Sequence, residues 1–272
     1  MNPHKKKHTI QPKKGLSQSF LQSRGTAKKI VDALCISDED TVLEVGPGTG
    51  ILTEFLVRKA KKVIVVEKDE RLVQVIKEKF KNTKNIVIRE GDILKQDIKG
   101  LSGGKRLKLI SNLPYSISKQ LLYLLLENRT SFSCAVLTLQ REVAQRMTGQ
   151  LDKKSYGTLS IMYHCFSDTE ILFPIPPSFF YPRPKVSSLV VRIKLLVTPR
   201  YLIDDYNSFF SFVKTCFTSR RKMLRKTLGL SGPLREKRPE DLTPEEFVHL
   251  WRARYKGHKE HKDQITRLKI KD

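Results

Sequence analysis

Asn112, Leu113, Pro114 and Tyr115 together hold the parts needed to alkylate an aromatic amine. The lone pair of an adenine amino group is delocalised into the ring and must be localised before it attacks a methyl donor. An Asn side-chain oxygen and a backbone carbonyl, each accepting from one of the two N–H groups, can do this without an acid or base. Pro114 would stiffen the turn and present the Leu113 carbonyl, while Tyr115 would offer a ring to an extruded base. Alone, Asn-x-Pro-Tyr is an ordinary turn with a packed Tyr. Its weight depends on where it lies.

It lies at the end of the β-rich run LKLIS (107–111), the fourth such run in an alternating series. The first, TVLEV (41–45), leads into Gly46-Pro47-Gly48-Thr49-Gly50 and then a helical pattern, so the glycines form the turn from a strand into a helix. Such a turn lets a ligand approach bare backbone. Glu67 closes the next strand, KVIVVE, where a carboxylate can reach the ribose hydroxyls of a nucleoside held over the turn. The spacing is G-x-G-x-G, not the dinucleotide G-x-G-x-x-G, which favours an adenosyl ligand without pyrophosphate, namely S-adenosylmethionine. Asp92 of Gly91-Asp92, after the strand NIVIRE, should reach the same rim and accept from the cofactor's exocyclic amine. On the glycines and acids alone a nicotinamide enzyme is the rival reading, but Asn-Leu-Pro-Tyr has no role in that chemistry.

Further strand patterns cover 135–140, 169–175 and 188–194, and helical ones 69–80, 118–128, 141–148 and 156–166. Strands alternating with helices imply βαβ units and a parallel sheet. Beyond Thr198-Pro199 only helical patterns remain, including Thr243-Pro244-Glu245-Glu246, which reads as an N-cap, a first-turn Pro and a capping box. The expected organisation is a basic N-terminal segment over 1–29 whose later part lines the cofactor site, a sheet domain over 30–198, and a helical domain with a basic tail over 199–272.

The chain has 272 residues, 39% hydrophobic and 29% charged, with 52 Lys and Arg against 28 Asp and Glu. That apolar share supports a packed core and excludes a disordered polyelectrolyte. No apolar run exceeds the six residues Leu121–Leu126, far short of the roughly 20 that span a bilayer. The basic start lacks an apolar signal region and is Lys-rich where transit peptides favour Arg and Ser, so a cytoplasmic protein is expected. Cys35, Cys134, Cys165 and Cys216 form no CxxC and read as buried reduced thiols, and His258 and His261 lack companion ligands, so no metal is expected.

Of the 24 excess positive charges, 19 fall in residues 1–29, 211–231 and 252–272. One Lys-rich end would be merely solubilising, but three clusters point to nucleic acid. In the stretch 213–228 an apolar stripe (Val213, Phe217, Leu224, Leu228) recurs at helical spacing beside Arg220, Arg221, Lys222, Arg225 and Lys226, the candidate RNA contacts. A membrane surface would accept such a helix too, but its stripe is narrow and lacks Trp, so RNA or DNA ranks first.

From Gly15 to Lys256 the chain resembles the KsgA class of rRNA adenine N6-dimethyltransferases, with the Erm resistance methyltransferases as cousins. The resemblance rests on LSQSFL (16–21), LEVGPGTG (43–50), GDIL (91–94), SNLPYSIS (111–118), LQREVAQRM (139–147), YGTLS (156–160), FYPRPKVSS (180–188) and SRRKMLRKTL (219–228). It implies a seven-stranded Rossmann-like methyltransferase domain followed by a smaller all-helical domain, the two forming a basic-walled cleft. It implies cofactor contacts at Ser19, Leu21, Gly46, Glu67, Asp92 and Asn112, with Gly48 in the same turn. Leu113, Pro114 and Tyr115 would shape the target pocket, and Phe180 would be the second aromatic sandwiching the base. The implied substrate is two adjacent adenosines near the 3′ end of small-subunit rRNA, each methylated twice, within a pre-ribosomal particle and with no membrane partner. Ser19 stands where that class usually has Asn or His, and Ser116 and Ser187 replace commoner Asn and Asp. Erm-like action on large-subunit RNA, an assembly factor and a non-catalytic nucleic-acid-binding descendant are the other readings.

Overall fold

The computed structural model describes residues 11–16, 18–113, 115–149, 154–220, 222–228 and 233–255. A short antiparallel ribbon pairs β1 (Phe20–Leu21) with a later two-residue strand, and helix α1 (Arg24–Asp32) follows. The alternating part then runs β2 (Thr41–Val45), α2 (Thr53–Leu56), β3 (Lys62–Glu67), α3 (Glu70–Lys79), β4 (Ile86–Glu90), α4 (Ile98–Ser102), β5 (Leu107–Asn112), α5 (Ser118–Glu127), β6 (Phe132–Gln140) and α6 (Arg141–Met147). After α7 (Thr158–Phe166) come β7 (Ser167–Ile175), β8 (Phe180–Tyr181, the ribbon partner of β1) and β9 (Ser188–Leu195).

One sheet has seven strands in the order β4-β3-β2-β5-β6-β9-β7. The pairs along β4 to β6 are parallel, and β6 with β9 is antiparallel. The seven-stranded Rossmann-like sheet expected from the sequence is therefore present. Every residue of β3 after Lys62 is buried, so the run VIVV is covered on both faces, as a central parallel strand requires. The chain steps outward through β3 and β4, then returns to lay β5 on the other side of β2. At that reversal the C-terminal ends of β2 and β5 diverge and leave a crevice.

Helix α3 shows how local chemistry sets the frame. Asp69 caps it, accepting from the Arg71 N–H, Glu70 occupies its first turn and Lys77 and Lys79 its last. Leu72, Val73 and Ile76 form its buried face.

The chain divides into two compact units, one comprising residues up to Ala144 with Thr169–Leu195, the other Gln145–Asp168 with the residues from Leu196 onward. A single break at 198 had assigned 145–168 to the sheet domain; α7 instead groups with α8 (Tyr206–Thr218), α9 (Leu224–Leu228) and the helix over 244–255. Inside that unit the Tyr156 hydroxyl donates to the Leu242 carbonyl at 2.7 Å, and Phe217 stacks on Phe247. The capping box forms as read: Thr243 N–H donates to Glu246 and Glu246 N–H to the Thr243 hydroxyl, at 2.8 and 3.1 Å.

The stretch 213–228 is not one helix. Helix α8 stops at Thr218, where the Thr215 and Thr218 hydroxyls bond back to carbonyls one turn earlier and Ser219 leaves helical geometry. The cysteines are not all buried either: Cys165 and Cys216 are, Cys134 is half-buried, and Cys35 is exposed in the turn after α1. Among the described residues no helix is long and apolar enough to cross a membrane, and no group of three His, Cys, Asp or Glu could hold a metal ion. His258 and His261 lie outside the described residues.

Candidate active site

The crevice at the strand-order reversal opens into a cavity of about 200 Å³. Its wall includes Ser19, Leu21, Gly46, Gly48, Glu67, Asp92 and Asn112, which brings all seven sequence-named cofactor residues to one place. They arrive by five strand ends: β1 for Ser19 and Leu21, β2 for the glycines, β3 for Glu67, β4 for Asp92 and β5 for Asn112.

The glycine turn is held in a form other residues resist. Gly46, Gly48 and Gly50 have φ of 64°, 58° and 79°. A Cβ on Gly48 would stand 2.9 Å from the Phe20 ring, so this glycine serves both the left-handed turn and the close approach of β1. Glu67 is buried and accepts the N–H groups of Lys68 and Asp69 through one oxygen, at 2.8 and 2.9 Å. Burial raises its pKa, an effect opposed by those bonds and by the Gly48 N–H. Burial also works to raise Asp92, but the Lys68 ammonium, 3.0 Å away, and the Leu94 N–H outweigh it and hold the carboxyl low.

Asn112 ends β5 with its amide oriented. Its Nδ2 donates to the Ser19 carbonyl at 3.2 Å, which leaves Oδ1 as the acceptor on the other side. Ser19 thereby acts through its backbone, since its hydroxyl donates instead to the Pro182 carbonyl at 2.8 Å. Leu113 is buried. Pro114 lies outside the described residues. Tyr115 is half-buried, with its hydroxyl 3.0 Å from the Ser188 hydroxyl, and burial raises its pKa. Phe180 is 5% exposed within the apolar cluster that includes Leu21, Ile30 and Ile175, and it does not line the cavity; its neighbour Tyr181 is 52% exposed.

Glu44, which the sequence reading passed over, sits in the middle of β2 with 1% exposure. The Thr53 hydroxyl donates to one of its oxygens at 2.6 Å, and the other has no partner. Burial pushes its pKa up to about 7, against the Thr53 bond and with help from the charge on Glu67. A carboxylate within an otherwise apolar central strand was the available signal.

The candidate RNA contacts divide. Arg220 bonds Glu240 and the Lys154 carbonyl, and Arg225 pairs with Glu236 at 3.1 Å. Lys222 and Lys226 are exposed. Arg221 lies outside the described residues.

A crevice at a strand-order reversal is where folds of this kind seat a nucleotide. With the sheet order above, it puts the protein among the Rossmann-like S-adenosylmethionine-dependent methyltransferases. Comparison with known proteins narrows the class: residues 9–243 match the profile of the ribosomal RNA adenine dimethylases, and the chain belongs to that family. It is 38% identical over 263 residues to a protein of Geobacter metallireducens named ribosomal RNA small subunit methyltransferase A, covering 90% of this chain and 96% of that one. The protein of the same name from Bacteroides thetaiotaomicron is 39% identical over 250 residues, covering 89% and 93%. Among solved structures, a dimethyladenosine transferase from Plasmodium falciparum superposes with a TM-score of 0.72 at 27% identity, covering 84% of this chain and 94% of the other. The 23S rRNA methyltransferase ErmE shares the fold, with a TM-score of 0.71 at 24% identity over 86% and 98%.

Proposed function

We propose that this protein transfers methyl groups from S-adenosylmethionine to N6 of adenosines in small-subunit rRNA, giving N6,N6-dimethyladenosine at two adjacent positions near the 3′ end. The observation that carries the chemistry is the Asn112 amide, whose Nδ2 is engaged by the Ser19 carbonyl so that Oδ1 is left as the acceptor.

The cavity fits the cofactor on its own terms: glycines at positive φ expose backbone, and two acids stand on adjoining strand ends. Glu67 would hold the ribose and Asp92 the adenine amine, with Gly46, Gly48, Ser19 and Leu21 in contact. When bound, the cofactor supplies a sulfonium-activated methyl group. The protein's own part would be to accept the N6–H groups, two before the first transfer and one before the second, through Asn112 Oδ1 and the Leu113 carbonyl, so that the nitrogen lone pair is free to attack; each transfer exchanges one N6 proton, lost to solvent, for a methyl group. Tyr115, its hydroxyl tethered to Ser188, supplies one face for the extruded base. Phe180 would supply the opposite face once its ring leaves the apolar cluster. The exposed Lys222 and Lys226 add phosphate-seeking charge. The particle acted on is a small-subunit precursor, and the site of action the cytoplasm.

Methyl incorporation into undermethylated small subunits and into large subunits offered side by side, with nucleoside analysis, tests this reading. Dimethyladenosine in small-subunit RNA is the expected product. Label confined to large-subunit RNA, or no label despite cofactor binding, would overturn it.

A further inference from the structure

The Asp69 side chain is completely enclosed, yet it holds together residues distant in sequence. It accepts from Arg71 Nε and Nη2 at 3.0 and 2.7 Å, from Gln18 Nε2 at 2.9 Å and from Lys13 Nζ at 3.3 Å. Arg71 reaches further and donates through Nη1 to the Gln11 carbonyl at 3.2 Å. Gln18 Oε1 accepts the Lys13 N–H at 2.8 Å, closing the cluster. The described residues of 11–18 contain one short helical turn, Lys14–Leu16. The same segment supplies Gly15, Leu16 and Gln18 to the cavity wall and leads directly into Ser19, whose carbonyl orients Asn112.

We infer that Asp69 is a positioning residue, the latch that fastens the strap of residues 11–19 along the cofactor cavity and so governs how long the cofactor stays. The inference rests on reading the cavity as the S-adenosylmethionine site. Charge-assisted bonds to two cations and an amide, made in an enclosed site, are the strong kind. The Arg71 guanidinium first, then Gln18 and Lys13, hold the carboxyl well below the usual carboxylate range despite its burial, so the latch stays ionised at any physiological pH. Asp69 also caps α3 through the Arg71 N–H. The latch is therefore best broken from the partner side, at Lys13 and Arg71, neither of which lines the cavity.

The test compares wild type, Lys13→Ala with Arg71→Ala, and Arg71→Lys. The first readout is trypsin cleavage after Lys14 without cofactor, and the second is KM and kcat for S-adenosylmethionine. Loss of the ion pairs should speed cleavage and raise the cofactor KM by about tenfold each, with kcat at saturation within about twofold and partial recovery in Arg71→Lys. An unchanged cleavage rate overturns the latch. Faster cleavage with an unchanged KM overturns its link to cofactor retention, and a fall in kcat alone assigns the cluster to other work. If the double variant fails to fold, Arg71→Ala alone serves with the same outcomes. A wild-type protein that bound no S-adenosylmethionine would sink the cofactor reading while leaving the cleavage comparison intact.

Discussion

The rim of the sheet and the basic stretch after Thr218 hold their polar groups by opposite means. At the rim each polar group is held by backbone: Glu67 by two N–H groups, Asn112 by a carbonyl, and the glycine turn by φ values only glycine adopts at ease. In the basic stretch the cations sit on the turn after α8 and on the short helix α9, some tied to carboxylates of their own unit and some exposed. Alkylation requires atoms placed within a few tenths of an ångström, which only an over-determined backbone provides. Attraction to a polyanion depends on charge density and tolerates loose placement.

That contrast is sharpest for Asn112→Ala. The variant should lose about 3 kcal/mol of transition-state stabilisation, roughly a hundredfold in turnover on immature small subunits, with the fold intact. Near wild-type turnover would mean the rim's precision is irrelevant to the chemistry. Burial of Glu44 gives the next effect, on stability. Its folded pKa, about 7, exceeds the ordinary 4.5, so the folded state binds the extra proton and stability falls as pH rises between those values. Glu44→Gln should flatten that fall in denaturant titrations at pH 5 and pH 8, by on the order of 3 kcal/mol. An identical pH slope in both proteins would show that Glu44 ionises as freely as an exposed acid.

Gly48→Ala combines a left-handed φ with contact against Phe20 and should weaken cofactor binding about tenfold in calorimetry, roughly 1 to 2 kcal/mol. The smallest effect belongs to the other region. Lys222→Ala with Lys226→Ala should reduce the salt dependence of RNA binding by about two charges while leaving cofactor affinity alone. If this pair instead changed cofactor affinity, or if Gly48→Ala changed only the salt slope, the division of labour would be wrong.

The alternating strands and helices were legible because buried parallel strands such as KVIVVE read as continuous β-branched runs, and because caps such as Asp69 and Thr243 sit where helices begin. The β1–β8 ribbon was not, since a two-residue strand has no period to detect. The site residues were visible as types at strand ends. Their couplings were hidden: Gln18 and Asp69 are 51 residues apart, and Ser19 and Asn112 are 93. The break at Thr218 escaped because an apolar stripe at helical spacing fits two short helices as well as one long one. Phe180 was singled out by resemblance alone, and it is buried.

Asn112 takes its orientation from the main chain of residue 19, and the hydroxyl there points elsewhere. The Asn112 amide is thus insulated from the side chain at that position. An exchange of the Ser19 side chain therefore leaves in place the carbonyl that orients this amide.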